Sequence, residues 1–329
     1  MAAVGTGTDA FGGIAGHKAA LDLLTHQLAS GRLSHACLFV GEPMLGKTTV
    51  ARAVARVLLP EVPLRRHPDY WEDDRPDALK IDDIRLLPDR QPDFHEQSLQ
   101  AFLAMKPAVA SHRVAVISNV GRLADPVQGI LLKTLEEPHP GRTIILTTPS
   151  LSPFVVLPTV VSRCQRVAFH GVASEDVAAL LVARGVPPER ARPIADLARG
   201  RPGWAVRTAG DADVIDRHRR WSERLEEVFG APADVALRLA AELDQSAWEW
   251  RRNGKGRSQE ERGEDPVAFA LASWQLYLRR RMADEGYPPS QARWARLLER
   301  SFDVAGYLEQ NVSPRLALEV FLLEARRAA

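Results

Sequence analysis

Gly41-Glu42-Pro43-Met44-Leu45-Gly46-Lys47-Thr48 fits the pattern G-x-x-x-x-G-K-[ST]. In that P-loop pattern backbone N–H groups cradle phosphates, the Lys reaches the terminal phosphates and the hydroxyl holds Mg²⁺. The flanks agree with the motif. Ala36-Cys37-Leu38-Phe39-Val40 is an apolar run that enters the loop as a buried strand, and residues 49–59 leave it as a helix whose N-terminal dipole faces the phosphates. Gly41, Gly46, Lys47 and Thr48 are therefore the candidate contacts for ATP or ADP with Mg²⁺. A chance Gly-rich turn is the alternative, and a correct strand before it and a correct helix after it weigh against that alternative.

Outward from this loop, residues 112–117 and 142–148 are two more buried-strand runs. Helical patterns alternate with them over 17–30, 81–87 and 130–137, which predicts a parallel α/β sheet. Residues 1–8 read as a frayed tail and 88–97 as a solvated loop. Past Phe169 the strand signals fade: 174–184 and 188–199 read as short helices, with Gly200-Arg201-Pro202-Gly203 as a breaker. From Asp211 onward the pattern is helical except for the polar stretch 251–265. The predicted organisation is a P-loop domain over 1–168, a small helical domain over 169–210 and an all-α domain over 211–329.

A chain of 329 residues with 45% apolar and 26% charged residues can bury the cores this organisation needs. Its net charge of +1 supplies no global basic field, so any contact with nucleic acid must be local or provided by partners. Two cysteines, Cys37 and Cys164, are too few for a disulfide framework or a four-Cys zinc site, and they read as small buried hydrophobes. No signal-peptide pattern and no apolar run of membrane-spanning length occurs, so a cytoplasmic location is expected.

Further segments occur in the order found in a known family: Gly31-Arg32-Leu33-Ser34-His35-Ala36, the P-loop, His67-Pro68-Asp69-Tyr70, Leu131-Leu132-Lys133-Thr134-Leu135-Glu136-Glu137-Pro138, Ser162-Arg163-Cys164, and Asn311-Val312-Ser313-Pro314-Arg315-Leu316. The chain resembles the bacterial clamp-loader subunits of DNA polymerase III, which are AAA+ proteins, and the delta-prime branch matches best. The resemblance runs from about Phe11 to the C-terminus, and L-L-K-T-L-E-E-P with a downstream S-R-C is its specific part. It implies a P-loop (AAA+) nucleotide-binding domain, a helical lid and a helical collar. The collar would join delta and gamma/tau subunits with this one in a hetero-pentamer that places a sliding clamp on primed DNA. It also implies that Arg163 acts in trans, on a nucleotide held by the adjacent subunit. Pairing of Arg163 with Glu136 or Glu137 is the local alternative. Family members commonly insert a Cys-rich zinc module before H-P-D, and this chain has no cysteine there, so no zinc is expected.

P-loop ATPases hold Mg²⁺ with an acid at the end of the neighbouring strand, and relatives follow it with a Glu that polarises water. Here the strand ends Val116-Ile117-Ser118-Asn119, without a carboxylate. General-base assistance, worth roughly 10²- to 10⁴-fold, is missing. Asp125 reads as a helix N-cap rather than a displaced acid. The resemblance sets a lid arginine of ATPases at Gly203, and Arg201 and Arg207 lie out of register. Thr147 reads as a strand-end hydroxyl, and Trp248, Trp250, Trp274 and Trp294 as core or subunit interface. Arg279-Arg280-Arg281 reads as a solvated face, and Cys164 is not placed as a nucleophile. The expected function is a non-catalytic stator subunit with absent or very weak ATPase activity of its own. An active gamma/tau-type motor, or another P-loop remodelling ATPase, is the alternative.

Overall fold

A strand as apolar as Ala36–Val40 has to be covered on both faces. A computed structural model describes residues 10–60, 62–75, 79–85, 89, 97–136, 139–253, 264–284, 288–309 and 313–328. In it this strand, β1, lies inside a five-stranded parallel sheet. The other strands are β2 (Tyr70–Asp73), β3 (Arg113–Ile117), β4 (Arg142–Thr148) and β5 (Gln165–Ala168), in the order β2-β3-β4-β1-β5. This is an open parallel α/β sheet with the P-loop at the carboxyl end of β1. The period of two divides the core: Cys37, Phe39, Val114, Val116 and Ile145 pack with helices α1 (Lys18–Ala29) and α2 (Lys47–Leu58). Leu38, Ala115, Ile117, Ile144 and Leu146 pack on the other face with α5 (Asp125–Glu136). The same layer takes Ile84 of α3 (Ile81–Ile84) and Leu99, Phe102 and Leu103 of α4 (Leu99–Ala104).

The central strands stand where the apolar runs put them. The edge strands β2 and β5 were not legible, because a four-residue strand reading Tyr-Trp-Glu-Asp or Gln-Arg-Val-Ala carries no buried run. Helix α3 stops at Ile84 rather than reaching residue 87, since Arg85 is extended at φ −86, ψ 135. Helix α5 starts five residues before the expected position. Asp125 is its first residue rather than its cap, and the Ala124 carbonyl accepts the first helical N–H groups, from Val127 at 2.8 Å and Gln128 at 3.0 Å. Residues 1–8, most of the loop 88–97, Glu137 and Pro138, Asn311 and Val312, and the middle of 251–265 lie outside the described residues.

After β5 come α6's successors in chain order. Helix α6 itself (Pro158–Val161) precedes β5, and α7 (Ser174–Ala183), α8 (Pro188–Ala198) and α9 (Pro202–Thr208) follow it over the expected lid. The chain divides into two compact units, Met1–Arg207 and Thr208–Ala329. The second unit is built from α10 (Val214–Glu226), α11 (Ala233–Asn253), α12 (Pro266–Asp284), α13 (Pro288–Glu309) and α14 (Pro314–Ala325). Trp274 and Trp294 are buried in its core; Trp274 stacks on Phe321 at 5.6 Å and donates Nε1–H to the Trp221 carbonyl at 2.8 Å. Trp248 is exposed, with the Arg252 guanidinium 4.5 Å above its ring. Among the described residues no helix is long and apolar enough to cross a membrane.

Cys37 and Cys164 come close through the pairing of β1 with β5, since Cys37 is in register with Gln165. Their side chains join opposite core layers, and burial pushes both thiols up to about 12.

The H-P-D segment is structural. The fully buried Asp69 carboxylate accepts N–H bonds from Ala108 at 2.7 Å, Val109 at 2.8 Å and Ala110 at 3.0 Å, and Arg113 lies 3.4 Å away. Burial alone would raise its pKa, but the three amides and Arg113 outweigh that and hold it below the usual carboxylate value. A depressed native pKa gives stability that is present above the unfolded value of about 3.9 and is lost as pH falls through the native one. Asp69→Ala is expected to cost about 3 kcal/mol in urea unfolding at pH 7, because it strands three amides and an arginine. A change under about 1 kcal/mol would show that the loop satisfies itself another way.

Candidate functional site

Parallel strands bring their carboxyl ends to one edge, so the loops after β1, β3 and β4 converge there. Gly41 leaves β1 at φ 153, and a Cβ at this position would sit 2.3 Å from the Phe169 carbonyl oxygen. No larger residue fits. Gly46 caps α2 at φ 93, and Lys47 and Thr48 begin that helix. Lys47 is 8% exposed. Its ammonium donates to the carbonyls of Gly41 at 2.5 Å and Glu42 at 2.6 Å, and burial lowers its pKa to about 8.

Because β4 lies between β1 and β3, Thr48 reaches the end of β3. Its Oγ1 is 2.9 Å from Ser118 Oγ. Two neutral hydroxyls thus bond each other where an ATPase sets a hydroxyl and a carboxylate on Mg²⁺, and this donor set does not fit a tightly held Mg²⁺ ion. Asn119, at φ 52, donates its backbone N–H to Thr147 Oγ1 at 2.8 Å. Thr147 is therefore a satisfied strand-end hydroxyl. A buried acid that the sequence did not single out, Asp73, stands at the end of β2, where its carbonyl accepts the Ser118 N–H at 2.9 Å. It is held by Arg75 at 2.6 Å and Arg122 at 3.0 Å, and is neutralised without a metal. Among the described residues no group of three or more His, Cys, Asp or Glu is placed to hold a metal ion.

The lid touches the loop directly. Gly203 donates its N–H to the Met44 carbonyl at 2.9 Å, and a Cβ on Gly203 would lie 2.8 Å from that oxygen. The position where the resemblance sets a lid arginine is thus a backbone-to-backbone contact with no room for a side chain. Arg201 bonds the Ala198 carbonyl at 3.1 Å and lies over Trp204. His17, which the sequence did not mark, donates Nε2–H to the Leu45 carbonyl at 2.7 Å and sets its ring edge against Phe169. A lone histidine at a helix start carries no pattern to find it by.

Arg163 follows α6 and is partly exposed. Its guanidinium bonds Glu136 with Nε at 2.6 Å and with Nη2, and the Thr159 carbonyl with Nη1 at 2.9 Å. In the single chain this is the local pairing weighed against the trans role. It lies apart in contacts from Lys47 and Thr48, so the two sets of candidate residues form separate sites. Gly203→Ala is expected to lower stability by about 1–3 kcal/mol through overpacking against Met44, read by urea unfolding. Unchanged stability would mean the lid helix moves freely off the loop.

Residues 16–173 match the family described as DNA polymerase III, delta subunit. DNA polymerase III subunit delta′ of Bacillus subtilis is 27% identical over 193 residues, 54% of each protein. Subunit tau of Escherichia coli is 30% identical over 176 residues, 49% of this chain and 25% of that protein. The match thus spans about half, or less, of the length of these curated relatives. Among solved structures, a gamma-subunit-related protein of Thermotoga maritima superposes with a TM-score of 0.43 at 18% identity, covering 93% of this chain and 99% of that one. Through residues 16–173 the chain is similar to DNA polymerase III clamp-loader subunits.

Proposed function

We propose that the chain is the delta-prime-type stator of the clamp loader: a subunit that assembles with delta and gamma/tau partners, hydrolyses no ATP itself, and supplies Arg163 to a nucleotide on its neighbour. The observation that carries the first part is the Thr48–Ser118 hydroxyl pair, which leaves no carboxylate for Mg²⁺ and no base for water. The intact P-loop and the 30% identity to tau are what a motor reading rests on. They speak for phosphate binding alone, through Gly41, Gly46, Lys47 and Thr48, because hydrolysis needs the acids that are absent. The deciding measurement is ATP turnover by the purified chain with Mg²⁺ and primed DNA. A value near or above about 1 s⁻¹, the low end of ordinary enzymes, would overturn the stator reading.

Charge decides how well the loop takes phosphate. Free Lys47 loses its proton as pH rises through about 8. Nucleotide affinity should therefore be flat below that pH and fall by up to about tenfold per unit above it. An affinity equal at pH 7 and pH 9.5 would remove Lys47 from the phosphate contacts.

Magnitudes also favour the trans role of Arg163. A half-exposed ion pair such as Arg163–Glu136 is worth about 0–1 kcal/mol. An arginine reaching a neighbour's γ-phosphate in the transition state is worth about 10³–10⁵ in rate. The pair is thus easily exchanged for phosphate oxygens, and the bidentate fork cannot be replaced by Lys. Arg163→Ala and Arg163→Lys should both leave rings assembled while slowing DNA-stimulated ATP hydrolysis by the adjacent subunit. Unchanged hydrolysis in assembled rings would end the assignment.

A further inference from the structure

Gln128 is 2% exposed and uses both ends of its amide. Its Nε2 donates to the carbonyls of Leu123 at 3.0 Å and Val155 at 3.2 Å, and its Oε1 accepts the Leu157 N–H at 2.9 Å. Leu123 ends the loop after β3, whereas Val155 and Leu157 lie just before α6, the single turn that leads into Ser162-Arg163. The two loops also touch without it: a Cβ on Gly121 would lie 2.5 Å from Val155 Cγ1. The amide of Gln128 therefore clamps a close contact rather than bridging a gap.

The apolar residues of this segment, Val156 and Val160, are fully buried, which fixes its depth in the core. Apolar contacts are non-directional and leave the segment free to slide along α5. Hydrogen bonds are directional and fix where it stops. From Leu157 the path to Arg163 is stiff. Ser162 N–H bonds the Pro158 carbonyl at 2.9 Å and Arg163 N–H the Val160 carbonyl at 3.2 Å. Helix α5 thus holds the segment at two points, Gln128 near its start and Glu136 at its end.

We infer that Gln128 is the positioning residue for Arg163, setting the height at which its guanidinium leaves the subunit surface; this rests on the trans role of Arg163 proposed above. A guanidinium serves a γ-phosphate only within a fraction of an ångström of the productive position, and a misplacement of about 1 Å costs about 10²-fold in rate.

The test uses rings reconstituted from this chain and its partner subunits, with DNA-stimulated ATP hydrolysis by the neighbouring subunit as the readout. Gln128→Met keeps the buried volume and removes the hydrogen bonds. It should lower kcat by about ten- to a hundredfold with the KM for ATP unchanged, as expected of an interaction made only in the transition state. Combined with Arg163→Ala it should be no slower than Arg163→Ala alone, because the clamp acts through that side chain. A purely structural role would instead lower the melting temperature and leave the kcat of assembled rings untouched. If Gln128→Met does not fold, Gln128→Asn, one methylene short of Leu157, gives the same readout with a smaller loss. A normal kcat for the Gln128 variant in rings where Arg163→Ala is slow overturns the inference and leaves the stator reading standing. A normal kcat for Arg163→Ala itself overturns both.

Discussion

Burial of β1 on both faces, between β4 and β5, is the constraint from which the arrangement of the first unit follows. A parallel strand without a solvent face needs helices on both sides, and the loop that leaves it lies at the carboxyl edge. It sets the P-loop at that edge and brings the end of β3 within reach of Thr48. With β5 hydrogen-bonded alongside, the chain that leaves β5 passes over Gly41 so closely that only hydrogen fits there. The loop is then held by contacts from its own chain. His17 takes the Leu45 carbonyl, Gly203 takes that of Met44, and Lys47 takes those of Gly41 and Glu42.

These contacts change what the nucleotide motif means. An ATPase keeps its hydroxyl and its acid for a metal and its lid arginine for a phosphate. Here the hydroxyl is spent on Ser118, the lid position is a packed glycine, and the buried acid at the sheet edge is neutralised by Arg75 and Arg122. Three independent features thus point the same way, although the eight-residue motif matches its pattern throughout.

What could be read in the sequence follows from the range of each interaction. The P-loop with its strand and helix is local, and three central strands are continuous apolar runs, so all of these were legible. Absence of the acids was equally plain, since it needs only residue identity at a strand end. The lid contact was not, because Gly203 and Met44 meet only after the sheet, α7 and α8 are in place. Likewise Gln128 looks like one more polar residue on an amphipathic helix, and nothing near it in the chain reveals that its partners are Leu123, Val155 and Leu157. Edge strands failed for a different reason: Tyr70–Asp73 carries two acids, of which Glu72 is paired with Arg52 on α2 and Asp73 with Arg75 and Arg122. Those charges look solvated until their partners are known.

The two cysteines give the molecule an unplanned convenience. They sit close together, Cys37 in β1 and Cys164 just before β5, and their side chains join opposite core layers. Burial holds both thiols well above the ordinary thiol value, and the thiolate is the reactive form. A maleimide or haloacetamide dye should therefore react with a cysteine introduced on the surface faster than with the native pair. Distances within the chain can then be followed from introduced surface thiols without altering the core.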